Sequence, residues 1–115
     1  MQIIRGEEAS VFEIKSMAVI PSSQRKGVGR KLIEAAIQHC CALSGDRLVV
    51  STAVADIGKL RFYQRCSFRM CSVVRDAFSP STGYAADTFI DGIRLMDQVT
   101  FDLPLRAKDA QRLRR

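Results

Sequence analysis

The chain has 115 residues, a hydrophobic share of 47% and a net charge of +6, which is one domain's length with enough apolar residues for a core. Four cysteines and one histidine fit neither a zinc finger nor a disulfide framework, because Cys40-Cys41 are adjacent and four residues separate Cys66 from Cys71. The charge is uneven: the five basic residues and one acid of Arg106 to Arg115 supply +4 of it, which argues for a solvated basic tail and against a nucleic-acid surface spread over the fold.

Met1 to Arg5 is a short strand-like run, and Gly6 to Ser10 reads as a turn. Val11 to Ile20 is the central strand, ended by Pro21, which removes a ladder donor. Phe12, Ile14, Ser16, Ala18 and Ile20 share one face; Val11, Glu13, Lys15, Met17 and Val19 share the other. Ser22-Ser23 turns the chain into Gln24-Arg25-Lys26-Gly27-Val28-Gly29, which opens directly into a helix. A strand, a basic glycine-bearing loop and a helix N-terminus make an anion site, because convergent N–H groups and the helix dipole favour negative charge.

The helix runs from Gly27 to about Ser44, with Val28, Leu32, Ala35, Ala36, Cys40 and Leu43 as its apolar stripe and Gly45 as its cap. His39 in its middle reads as a surface or packing residue. Arg47 to Ala53 is a second strand, and the run Leu48-Val49-Val50 suits a parallel strand covered on both faces. Asp56 is an N-cap for a helix over Ile57 to Arg65, with Ile57, Leu60 and Tyr63 near one face. Phe68 to Val74 alternates as a half-exposed strand. A polar loop covers Asp76 to Asp91, and a last strand runs from Ile93 to Leu103. No window has the length of a signal peptide or a membrane span, so the chain reads as soluble and cytoplasmic with free thiols and no membrane partner.

Two motifs in this order carry a resemblance. Met17-Ala18-Val19 followed by Gln24-Arg25-Lys26-Gly27-Val28-Gly29 matches a Gln/Arg-x-x-Gly-x-Gly/Ala signature. About forty residues on, Phe62-Tyr63-Gln64-Arg65-Cys66-Ser67-Phe68 is similar to an aromatic-Tyr-x-x-x-Gly-Phe segment. Over residues 11 to 103 the chain resembles the GNAT superfamily, the GCN5-related N-acetyltransferases. The resemblance implies an α/β partial GNAT fold: a mixed central sheet with the signature strand, pyrophosphate loop and helix, then a β-α-β C-terminal half. It implies a single N-terminally short domain over 1–105 with the tail at 106–115, because the strand, two helices and two strands that open a typical member find only about ten residues here.

The implied function is acetyl-CoA-dependent N-acetyl transfer, from the thioester directly to an acceptor amine and without a metal. Arg25, Lys26, Gly27, Val28, Gly29 and Arg30 match the pyrophosphate-binding positions, with Gln24 shaping the loop. Met17, Ala18 and Val19 match the backbone that pairs with the pantetheine arm. Tyr63 matches the tyrosine that protonates the departing thiolate, and a phenol with an ordinary pKa of about 10 suits that task. Glu13, eleven residues before Gln24, matches the base that some members use. The plainer readings stand beside these: a turn with solvated basic residues, a core strand, a core tyrosine on the Ile57-Leu60 face, and a Glu13 charge paired with Lys15. Two positions depart from the pattern. Val54 and Asp56 stand where Asn is frequent, and Ser67 stands where Gly is usual in a turn needing positive φ. The alternative is a catalytically inactive GNAT-like fragment, a CoA-binding or partner-dependent module whose open sheet edges a homodimer would cover.

Overall fold

The computed structural model describes residues 2–6, 10–16 and 27–105. Seven strands and two α-helices follow one another: β1 Gln2–Arg5, β2 Val11–Ser16, α1 Val28–Ala42, β3 Arg47–Ala53, α2 Ile57–Arg65, β4 Arg69–Val74, β5 Phe89–Ile90, β6 Ile93–Arg94 and β7 Gln98–Pro104. Hydrogen bonding orders five strands as β1-β2-β3-β7-β4, and β5 and β6 form a separate two-stranded sheet. β1 and β2 are antiparallel and β2 and β3 parallel, with Phe12 opposite Leu48 and Ile14 opposite Val50. The central sheet is therefore mixed, in an α/β chain with the expected strand, helix, strand crossover. Among the described residues no helix is long and apolar enough to cross a membrane.

The chain divides into two compact units, one of residues 1–50 and 102–115 and one of residues 51–101, so that β3 and β7 each contribute to both. In the first unit the core holds Phe12, Ile14, Ile33, Ile37, Cys40, Leu48 and Val50. Phe12 and Ile14 lie on one face of β2, as their two-residue spacing implies, and both are buried. The helix stripe is rotated from its expected position: Gly29, Ile33, Ala36, Ile37 and Cys40 are buried, while Ala35 and Leu43 are exposed. Both series step by three and four residues, so periodicity alone fits either; burying Ile33 and Ile37 removes more apolar surface from water than burying Ala35.

The end of α1 also differs from expectation. Ser44, at φ 61°, takes the left-handed position. Its N–H bonds the Cys41 carbonyl at 3.0 Å, and the Gly45 N–H bonds the Cys40 carbonyl at 2.8 Å, which is a Schellman ending. Gly45 is needed for closeness, since a Cβ there would lie 2.8 Å from the Phe12 ring and 2.9 Å from the Cys40 carbonyl oxygen. β3 alternates, with Leu48, Val50 and Thr52 buried and Arg47, Val49 and Ser51 half-buried, instead of being covered on both faces.

In the second unit the buried residues include Ala53, Ala55, Tyr63, Cys66, Phe68, Val99 and Phe101. Asp56 caps α2 as expected, its side chain accepting from the Lys59 N–H at 3.1 Å. Ile57 is 47% exposed and does not share a face with buried Tyr63; six residues at 100° each carry the chain 240° around the helix. β4 is exposed at every position, because it ends the strand order. The expected last strand is interrupted. Asp91 at φ 48° and Gly92 at φ 82° form a two-residue hairpin turn that pairs Ile90 with Ile93, as an Asp-Gly pair with both φ positive does.

Candidate active site

The expected site residues fall into three groups. Met17, Ala18, Val19, Gln24, Arg25 and Lys26 lie outside the described residues, as does the 106–115 tail. Glu13, Gly27, Val28, Gly29 and Arg30 belong to the first unit, and Tyr63 belongs to the second.

The start of α1 is built unlike an ordinary helix end. Gly27 stands before the first turn at φ 76° and ψ 9°, a left-handed conformation that glycine reaches at little cost, and as the N-cap residue it supplies no side-chain cap. A Cβ at Gly27 would meet nothing within 4 Å, so the glycine serves the backbone shape rather than a crowded packing site. Gly29 is buried. The first intrahelical bond runs from the Lys31 N–H to the Gly27 carbonyl at 3.1 Å, and the N–H groups of a helix's first turn lie ahead of its own carbonyl ladder.

The charge pattern adds to this. The first turn of α1 carries no acid and does carry Arg30 and Lys31, although a helix N-terminus favours negative charge. Arg30 reaches Glu34 one turn on at 3.9 Å, an exposed i,i+4 pair that contributes about 0.3–0.5 kcal/mol. The first N–H groups of a helix have no partner within it, and cations collected at a positive dipole end are locally unfavourable; a bound anion suits both. The residues present thus fit a pyrophosphate group at Gly27, Val28, Gly29 and Arg30.

Glu13 sits inside the sheet, opposite Ile4 of β1 and Val49 of β3. Its carboxylate meets the Lys15 ammonium at 3.4 Å, and the side chains of Glu13 and Lys15 are 27% and 50% exposed. Lys15 is two residues on, on the same face of the strand. An exposed pair of this kind is worth about 0–1 kcal/mol, so it holds the carboxylate only weakly.

Tyr63 is enclosed. It is 4% exposed, and its ring lies 5.3 Å from Phe62, 5.7 Å from Phe68 and 5.7 Å from Phe101, with the first two contacts edge-on. Burial pushes its phenol pKa above the ordinary value, and the charges of Cys66 and Asp56 push in the same direction. Tyr63 therefore holds its proton at neutral pH. The sequence motif pointed to Phe62 and Phe68; Phe101 carried no such signal, since it reaches Tyr63 only through the fold. Ser67 adopts φ 72°, the positive φ anticipated where glycine is usual. All four cysteines are free, and burial, with Cys41 beside it, raises the pKa of Cys40. Among the described residues no group of three or more His, Cys, Asp or Glu side chains converges as metal ligands do.

Residues 2–68 match the model of the acetyltransferase (GNAT) family. The chain belongs to the GNAT family. It is 36% identical over 93 residues to the uncharacterized N-acetyltransferase YvbK of Bacillus subtilis (strain 168), covering 81% of this chain and 59% of the relative. Among solved structures it is similar to a Bacillus subtilis acetyltransferase in complex with CoA, with a TM-score of 0.82 and 32% identity over 90% of this chain and 66% of the other. The IAA acetyltransferase of Bacillus cereus ATCC 14579 matches with a TM-score of 0.74 and 29% identity over 83% of this chain and 62% of its own. A family member from Elizabethkingia anophelis with acetyl-CoA bound shares the fold, with a TM-score of 0.77 at 24% identity over 86% of this chain and 63% of the other. The chain thus spans about three fifths to two thirds of the length of these relatives.

Proposed function

We propose that this chain is an acetyl-CoA-dependent N-acetyltransferase that moves the acetyl group from the thioester directly to an acceptor amine. The observation that carries the reading is the start of α1, where a left-handed, side-chain-free N-cap glycine and first-turn cations occur together in a chain of the GNAT family. Support for the cofactor comes from relatives of the same fold solved with CoA or acetyl-CoA.

In this reading residues 1–105 act as one short acetyltransferase domain. Gly27, Val28, Gly29 and Arg30, with Gln24, Arg25 and Lys26, hold the pyrophosphate, and the backbone of Met17, Ala18 and Val19 pairs with the pantetheine arm. The amine nitrogen, once deprotonated, attacks the thioester carbon and its C–N bond forms. The C–S bond breaks, and the sulfur leaves with the electron pair. Tyr63 gives its proton to that thiolate, and the proton that the nitrogen sheds as the amide forms restores the phenol. Glu13 takes the amine proton, directly or through water, after separating from Lys15. The raised phenol pKa keeps Tyr63 in the acid form that this step needs.

Mass spectrometry of a panel of primary amines incubated with the protein and acetyl-CoA tests this. Direct detection of product is preferable to thiol-reagent assays, because Cys71 is an exposed thiol in no disulfide and would contribute signal. The account expects an acetylated amine and CoA in equal amounts. Acetyl-CoA binding with no acetylation across the panel would instead favour an inactive CoA-binding module.

A further inference from the structure

Tyr63 is held by more than its ring contacts. The turn that ends α2 bonds back onto its backbone. The Ser67 N–H bonds the Gln64 carbonyl and the Phe68 N–H bonds the Tyr63 carbonyl, both at 3.0 Å. With Ser67 left-handed at φ 72°, this is a Schellman ending: Ser67 is the left-handed residue, and the residue after it closes on the carbonyl of the last turn. Such endings bring the side chains of the two closing residues together. Here those are Phe68 and Tyr63, whose rings meet edge-on at 5.7 Å and 67°. Phe68 is 2% exposed, so the ring that contacts Tyr63 is itself fixed.

The choice of residue is informative. A left-handed serine is strained, since a Cβ crowds the backbone in this region. At the end of α1 another serine, Ser44, takes the same conformation at φ 61°, but the buried neighbours there are structural. At α2 the strained residue clamps the tyrosine to which Proposed function gives the proton transfer.

We propose that Ser67 is a positioning residue for Tyr63: its left-handed backbone closes the α2 turn onto the Tyr63 carbonyl and seats Phe68 against the phenol ring, fixing where the hydroxyl points. This rests on the general-acid reading of Tyr63 for its catalytic consequence, but its structural half stands apart from catalysis. The hydroxyl of Ser67 has no part in it; the backbone conformation does.

The test uses the full chain with Ser67→Gly, Ser67→Asn, Ser67→Ala and Ser67→Val. Glycine and asparagine accept the left-handed region, and a β-branched residue does not. The chain has two tyrosines and no tryptophan, so in a Tyr84→Phe background the ultraviolet absorbance of tyrosinate reports Tyr63 alone. Gly and Asn variants should keep kcat and the alkaline titration of Tyr63 within about twofold and ~0.3 pH units of the parent. A folded Val variant should lose about tenfold or more in kcat with little change in the acetyl-CoA KM, and its Tyr63 should titrate at lower pH, because the ring is no longer enclosed. Ala, which removes only the hydroxyl, should match serine.

A folded Val variant with unchanged kcat and titration overturns the proposal. So does an Ala variant with lowered kcat, which would assign the effect to the hydroxyl. If Val yields no folded protein, the Gly variant decides: a higher Tm with Tyr63 titration preserved supports the strained clamp, and an unchanged Tm or a shifted titration overturns it. If the parent transfers no acetyl group at all, the general-acid reading fails, and the titrations still decide whether Ser67 seats the ring.

Discussion

The start of α1 and the end of α2 are opposite kinds of helix terminus. The first is open: Gly27 is exposed and as the N-cap supplies no side-chain cap, and the first turn carries cations where a helix dipole disfavours them. The second is closed: Ser67 and Phe68 bond back into the last turn, and Tyr63 is packed among three aromatic rings. A terminus with a side-chain-free N-cap and cations in its first turn suits an anionic ligand. A terminus that bonds back into its last turn and strains one residue to do so suits holding a side chain still. On the proposed function, binding falls to the first and chemistry to the second, and the contrast can be attacked from either side.

The largest effect is expected at the closed end. Tyr63→Phe keeps the ring and its packing and removes only the transferable proton, so kcat should fall about 100-fold, the scale of general-acid catalysis. The acetyl-CoA Kd, measured by calorimetry, should stay within about twofold; an unchanged kcat would remove Tyr63 from the mechanism. Next comes a structural control away from both regions. Gly45→Ala forces a Cβ to within 3 Å of the Phe12 ring and the Cys40 carbonyl, and urea denaturation should show a loss of about 2 kcal/mol. If stability were unchanged, the tight approach of the loop after α1 would not matter to the fold.

At the open end the signs should separate. Arg30→Gln removes a cation from a dipole end that disfavours it and also removes the pair with Glu34, so stability should move by less than about 0.5 kcal/mol. Acetyl-CoA affinity should fall about tenfold, the value of a charge-assisted hydrogen bond. A loss of stability with affinity retained would make Arg30 a structural residue. The smallest effect at neutral pH concerns the buried acids. Tyr63 and Cys40 have raised pKa values in the folded chain, so the folded state binds their protons more tightly than the unfolded state does. The resulting stability is complete below the ordinary thiol and phenol values, about 8.5 to 10, and is lost as the pH rises through the folded values. Denaturation midpoints should stay level up to about pH 8 on account of these groups and decline above it.

The same contrast governs what could be read in the sequence. The helix boundaries and the Asp56 cap were legible because caps and breakers act locally. The 57–65 helix and the 47–53 strand have the bounds that their residues implied. Which face each helix buries was not legible. In α1, two stripes of equal period competed, and Ile33 and Ile37 won on area; in α2, a run read as one face winds too far around the helix to be one. Asp91-Gly92 is a two-residue hairpin signal that was passed over in favour of one long strand. The left-handed Ser67 was anticipated because glycine is usual at that point of the motif, whereas Ser44 carried no comparable marker. In the candidate site, Tyr63 and the glycines are marked out by the resemblance to the family's two motifs, while Phe101 comes to Tyr63 from thirty-eight residues along the chain and is visible only once the chain is folded.

The most direct test of the central claim, that the open end of α1 is an acyl-CoA site, is calorimetric titration of the whole chain with acetyl-CoA at two ionic strengths. The account predicts saturable heat with Kd below about 1 mM, the upper range for enzyme substrates, weakening as salt rises because charged groups carry the contact. No binding heat at millimolar acetyl-CoA at either ionic strength would contradict it.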